Sequence, residues 1–191
     1  MMLRTSVRWK LVLPFVLLMT ILVGGAAMAK TLTIVQGTDI ESLNVHRVTS
    51  SPSYAVLDHI FDTLFEISVD GEIVPALAES FTVGEDGRTY IIPLREGVVF
   101  SDGTPFNAEA VKVNLEWIQN PESQAQYANL IGPINEITVL DEYTIQLRSE
   151  QPFGPILTHL THSGLGMISP AVIEKGLDYI AANPVGTGPF V

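Results

Sequence analysis

Cysteine is missing from all 191 residues. That absence excludes disulfides, thiolate catalysis, cysteine-based zinc sites and a lipid-modified N-terminal cysteine. Basic residues are scarce as well: 10 Lys and Arg stand against 21 Asp and Glu, a formal net charge of −11. Nucleic-acid binders neutralise phosphates with clustered Lys and Arg, so the balance argues against one. It fits a soluble protein kept apart from its neighbours by charge repulsion. Catalytic signatures are missing too: there is no Gly-x-Ser-x-Gly, no P-loop and no His-Glu-x-x-His. Neither an internal repeat nor a low-complexity tract is present. The length suits one domain or two small ones, enough to bury roughly 70% of the chain's surface.

What is present begins with a segment of a different kind. Arg4, Arg8 and Lys10 precede the apolar run Leu11 to Val23, and Ala27-Met28-Ala29 supplies small residues. This is the layout of a secretory signal over residues 1–29, cleaved after Ala29. An uncleaved membrane anchor is the alternative, although the run is short for a span of ~20 residues. Loss of those three cations leaves 7 basic residues against 21 acidic ones, a net −14 from Lys30 onward.

Thr31 to Val35 alternates and is β-branched, which predicts a strand. Gly37 to Ser53 reads as a long loop, and Ser53 as the cap of a helix. In that helix Leu57, Ile60, Phe61, Leu64 and Phe65 form one apolar stripe. Asp58, Asp62 and Glu66 fall at i+4 steps on another face, the pattern of a solvated surface rather than an acid–base pair. Strands and turns follow: a hairpin of 65–67 with 73–74 around Asp70-Gly71, a helical turn over 75–79, and a hairpin of 80–83 with 89–92 around 85–88. Pro93 predicts an edge strand or a bulge. Asn107 caps a helix burying Val111, Leu115 and Ile118 and ending near Asn120-Pro121. A less regular patch to Pro133 leads to a hairpin of 134–139 with 143–147. Short helices are expected within 153–160 and over 171–175, the latter closed by Gly176.

Three small constellations carry residue types capable of chemistry. Gly164-Leu165-Gly166 and Gly186-Thr187-Gly188 lack the third glycine of a dinucleotide loop. His159 and His162, at i and i+3, could turn to one side as metal ligands, but such pairs are more often packing residues. Ser163 beside His162 has no orienting acid in the sequence.

Three stretches carry a resemblance that spacing alone could not supply: Pro75 to Phe81, Asp86 to Tyr90, and Leu94 to Val111 with its Ser101-Asp102-Gly103-Thr104-Pro105-Phe106 core. Together they resemble the bacterial family 5 extracellular solute-binding proteins, the dipeptide, oligopeptide and nickel-binding group of ABC importers. Asn183 to Phe190, with Gly186-Thr187-Gly188-Pro189-Phe190, resembles a second hallmark of that family. Departures are Val45 where proline is common, Pro93 within a strand, and Ala110 where an acidic residue completes the capping box.

The resemblance implies a mixed α/β, periplasmic-binding-protein-like class II fold, present as its N-terminal part. Residues 30–52 would be the first strand and loop of domain I, 53–182 domain II, and 183–191 the re-entry into domain I, with domain III beyond the chain. It implies a monomeric, non-lipidated periplasmic protein that captures peptides or related small solutes for an inner-membrane ABC permease, with no catalytic residue and no cofactor. By position in the family, Thr49, Ser50, Ser51 and Tyr54 border the cleft from one side and His162, Ser163, Gly164 and Leu165 from the other; ordinary loop and cap residues are the alternative. With the closing domain absent, tight peptide binding by this fragment is not expected. The glycines and aspartates of 94–106 read as turn chemistry. A secreted hydrolase and a chemoreceptor-docking module are the rival classes.

Overall fold

Alternating burial along two strands places the main core. The computed structural model describes residues 33–190, so the secretory signal expected over 1–29 lies outside the described residues. A small hairpin pairs β1 (Phe65–Ile67) with β2 (Ile73–Pro75), Ile67 opposite Ile73. Its turn holds Gly71 at φ 82°, a conformation that disfavours any Cβ. The larger sheet contains β3 (Thr82–Val83), β4 (Thr89–Pro93), β5 (Ile134–Asp141) and β6 (Thr144–Ser149), antiparallel in the order β3-β4-β6-β5. Tyr90 lies opposite Leu147 and Ile92 opposite Ile145, all four buried, so one sheet face is a continuous apolar layer. Each such aliphatic side chain contributes about 2 kcal/mol on leaving water.

The helix α1 (Ser51–Leu57) precedes the sheet, and α2 (Ala108–Gln119), the longest helix among the described residues, packs on it. The Asn107 side-chain oxygen accepts from the Ala110 N–H at 3.0 Å, as its capping role requires. Val111, Leu115 and Ile118 are buried as expected, and so is Asn114. Asn114 is polar on an apolar face because it completes another segment's backbone. Its amide donates to the Ile168 carbonyl at 2.7 Å and its oxygen accepts from the Ile168 N–H at 2.8 Å.

Several expectations are corrected. The apolar stripe of Leu57, Ile60, Phe61, Leu64 and Phe65 is buried throughout, yet the helix stops at Leu57. The carbonyls that a longer helix would use are engaged by distant chain: His59 O by Phe190 N, Ile60 O by Gly188 N, Asp62 O by Met167 N, Leu64 O by Ala76 N and Ala78 N. The row Asp58, Asp62 and Glu66 is therefore no helix face. Ser53 is not the cap; Ser50 occupies that position, and the buried Ser53 hydroxyl accepts from Glu41 N at 3.0 Å. No helical turn covers 75–79, because Ala78 bridges Leu94 and Glu79 N donates to Pro93 O. Strand β4 is interior rather than an edge; Pro93 is tolerated as its last residue, past the reach of β3.

Shorter helices complete the chain: α3 (Ala128–Ile131) within the patch read as irregular, α4 (Ile156–His159), α5 (Pro170–Ile173) and α6 (Leu177–Ala182), the last unanticipated. Gly176, at φ 85°, lies between α5 and α6 and caps the start of α6. A second core joins Val45, Val48, Leu57, Ile60 and Phe61 to Ile168, Val172, Ile173 and Ile180. The long loop is thus packed, with a 3₁₀ turn at Val45–Arg47. Residues from Gln36 onward form one compact unit; Thr33 to Val35 belong to another and carry no strand. Among the described residues no helix is long and apolar enough to cross a membrane.

Candidate functional site

The two segments singled out in the sequence meet. Tyr54, on α1, lies edge-on to the His162 ring with centroids 5.8 Å apart. Tyr127, just before α3, lies tilted against the same ring at 4.0 Å. All three rings are half-buried. Gly164 makes this approach possible: a Cβ there would stand 2.7 Å from a Tyr127 ring carbon and 2.9 Å from the Tyr54 hydroxyl oxygen. Glycine is required by space at this position, since its φ is not positive.

Local hydrogen bonds fix each ring. Tyr54 donates to the Val48 carbonyl at 2.7 Å, and its burial, followed by the neighbouring Tyr127, raises its pKa well above the ordinary tyrosine value. The His162 Nδ1 accepts from the Gly164 N–H at 3.0 Å, capping the 3₁₀ turn Ser163–Leu165. Burial lowers the His162 pKa against the opposing pull of Asp58, so the ring is neutral at neutral pH with its proton on Nε2. Because Nδ1 is occupied by Gly164, His162 forms no hydrogen bond to Ser163 through it.

The remaining predicted residues differ in kind. Thr49 is exposed, and its N–H donates to Glu41 at 3.0 Å. The Ser50 hydroxyl pairs with that of Ser53 at 2.9 Å, while Ser51 is exposed at the helix start. Ser163 opens onto the groove described below. Leu165 points the other way: it is 1% exposed and packed into the main core, so its side chain supports the site from behind. His159 does not join His162 as a ligand pair; its Nδ1 meets the Leu130 carbonyl at 2.7 Å and its ring packs on Phe153. Among the described residues no cluster of three acidic or histidine groups is placed to hold a metal.

Beside the aromatic cluster runs an open groove of about 280 Å³, lined by Asp58, Asp62, Glu66, Thr63, Thr161 and Ser163 among others, with no basic residue. Asp62 is anchored by the Thr187 hydroxyl at 2.7 Å. The groove offers carboxylates and hydroxyls to a polar or cationic solute. Tyr127 had no signal in the sequence, being one aromatic in an irregular stretch. The carboxylates were visible only as a surface row.

The stretch 94–106 frames this region from behind. Asp102 accepts from Thr104 N at 2.9 Å, a turn contact, and also from the buried Ser169 hydroxyl at 2.7 Å. Ser101 N donates to the Gly186 carbonyl. Gly186 and Gly188 press against the backbone of His59 and Ile60: a Cβ on Gly186 would overlap the Ile60 carbonyl oxygen, and one on Gly188 would stand 2.6 Å from that of His59.

Comparison with known proteins agrees with this architecture. Residues 72–191 match the family model described as bacterial extracellular solute-binding proteins, family 5, middle. The glutathione-binding protein GsiB of Escherichia coli O6:K15:H31 is 37% identical over 165 residues, covering 86% of this chain and 32% of that protein. The chain thus spans about a third of the length of the curated relatives it matches. Among solved structures, the periplasmic binding protein DppA from Helicobacter pylori, in complex with the peptide STSA, superposes with TM-score 0.72 at 30% identity, over 81% of this chain and 35% of that one. NikZ from Campylobacter jejuni, in complex with Ni(L-His), gives 0.72 at 26%, over 80% and 30%. The mixed α/β fold is that of periplasmic binding proteins. With its middle and C-terminal residues matched to the family model and its fold shared with these structures, the chain belongs to the bacterial extracellular solute-binding proteins, family 5.

Proposed function

We propose that this chain is part of the substrate-binding component of an ABC importer, which captures a peptide or related small solute in the periplasm and delivers it to a membrane permease. The observation that carries the reading is the convergence of Tyr54, Tyr127 and His162 on one wall, beside the groove of Asp58, Asp62 and Glu66. Aromatic faces offer apolar area at low entropic cost, and the groove offers acceptors for an ammonium or amide N–H. Relatives named for glutathione, a tetrapeptide and a nickel–histidine complex support small polar solutes as the class.

In this reading residues 30–52 open domain I, 53–182 form domain II and 183–191 re-enter domain I. Thr49, Ser50, Ser51, Tyr54, His162, Ser163 and Gly164 border the ligand. The opposing wall would come from the part of the relatives' length that lies outside the third spanned here. Closure about a hinge then selects the liganded state, because only the closed form makes both sets of contacts. The protein acts as a non-lipidated monomer without cofactor. Family membership gives the hydrolase alternative no support.

A two-dimensional NMR titration with reduced glutathione, and separately with Ser-Thr-Ser-Ala, tests the reading. One wall alone binds in the millimolar range, which is read as amide shifts. Shifts confined to 49–66, 127 and 161–164, the aromatic wall and the groove beside it, are expected. Shifts elsewhere, or none at millimolar ligand, would remove the proposal.

A further inference from the structure

His46 is fully buried, yet no ligand-facing role falls to it. Its Nε2 lies 2.9 Å from the Gly166 carbonyl oxygen, an acceptor only, so Nε2 carries the proton. Its own carbonyl accepts from Gln126 N at 2.9 Å, and its N–H donates to the Asn44 side-chain oxygen at 3.1 Å. Gly166 closes the 3₁₀ turn that begins after His162, and Gln126 directly precedes Tyr127. Val48, two residues beyond His46, accepts the Tyr54 hydroxyl. One residue therefore bonds two of the segments whose aromatic rings make the wall and lies two residues from the carbonyl that holds the third.

We infer that His46 is a positioning residue: through its Nε2–H bond to Gly166 and its carbonyl bond to Gln126, it sets the separation of Tyr54, Tyr127 and His162. The inference rests on the proposed function for its purpose, and on the hydrogen bonds alone for its geometry. Bulk packing does not require an imidazole here. Leucine is apolar and of comparable size, and burial already disfavours a charged ring. What leucine cannot supply is the donor to Gly166. Two further glycine contacts show how little slack exists: a Cβ on Gly166 would stand 2.9 Å from Phe61 and 3.4 Å from Val45. Rotation of the 163–166 turn without that bond moves His162 off Tyr127.

The test compares His46→Gln, which keeps a donor at the Nε2 position, with His46→Leu, which does not. The readouts are the His162 ring resonances and the His162 titration followed by NMR. Wild type and His46→Gln are expected to show ring protons shifted upfield by Tyr127 and a depressed His162 pKa. His46→Leu is expected to lose the upfield shift, to titrate near an ordinary histidine, and to bind Ser-Thr-Ser-Ala about tenfold more weakly, a loss of about 1.4 kcal/mol. A purely structural role would lower the melting temperature of His46→Leu and leave the His162 resonances in place, and that result overturns the inference. Should His46→Leu not fold, the wild-type nitrogen shifts decide: protonation of His46 at Nε2 upholds it and protonation at Nδ1 overturns it. If the variants move His162 while neither glutathione nor the peptide shifts any resonance, positioning stands and the binding function falls.

Discussion

Asp102 and Ser169 lie 67 residues apart in sequence and are joined by a 2.7 Å hydrogen bond from a fully buried hydroxyl to a carboxylate oxygen. The bond ties the turn at Asp102–Thr104 to the start of α5. Desolvation acts to raise the Asp102 pKa, and the bonds from Ser169 and Thr104 together outweigh it, leaving the carboxyl below the usual carboxylate range.

Ser169→Ala should destabilise the protein by about 1 kcal/mol, the net worth of one such bond. It should also bring the Asp102 pKa back up. A carboxyl depressed on folding adds stability above its unfolded pKa and loses it as pH falls through the folded one. The variant's deficit should therefore shrink in acid, measured by urea melts at neutral pH and near pH 3.

Gly186→Ala and Gly188→Ala should each cost about 3 kcal/mol or more, because the clash is with backbone that has no room to yield. Gly154→Ala, where a Cβ meets nothing within 4 Å and φ is not positive, is the matched control and should stay within about 0.5 kcal/mol of wild type. Thermal melts by circular dichroism separate the two outcomes.

Asn114→Leu keeps the helix and the volume but strands both the N–H and the carbonyl of Ile168. The expected cost is about 3 kcal/mol, more than an exposed polar-to-apolar change in α2 such as Glu116→Leu costs. Slowed hydrogen exchange at Ile168 N–H in the wild type, lost in the variant, would locate the effect.

His46 supplies a pH dependence of the opposite type to Asp102 in its group but the same in its sign. Burial lowers its pKa from 6.5 to about 4, with the Gly166 bond acting weakly the other way. Between those values the unfolded chain binds the proton and the folded one does not, so stability rises with pH across the window and is complete above it. The total is about 3 kcal/mol, at 1.36 kcal/mol for each pH unit. His46→Gln should flatten the stability profile between pH 4 and 6.5, measured by chemical denaturation.

Sequence pattern found the elements whose signals are local. The hairpin turns at Gly71 and Gly87, the Asn107 cap and the apolar face of α2 depend on neighbours within a few residues, and each is where periodicity and turn chemistry put it. The periodicity from Leu57 to Phe65 predicts a buried helix; the stripe is buried but not helical, because its carbonyls answer to residues 76, 78, 167, 188 and 190. In the site, the family resemblance brought Tyr54 and His162 forward. Tyr127, the third ring, required the fold, since no spacing relates it to either partner. Leu165 belongs to the turn that the resemblance indicates, but its side chain is buried in the core.

The pairing of His59 and Ile60 with Gly188 and Phe190 has a consequence for how this chain is made. Residues 51–65 leave the ribosome well before their acceptors are claimed, carrying an amphipathic pattern that favours a longer helix. Only when the glycine-rich segment has emerged can its backbone displace that preference. A nascent chain halted before residue 186 should therefore hold more helix in 51–65 than one extended past Phe190, where the backbone of Gly188 and Phe190 takes the carbonyls of Ile60 and His59.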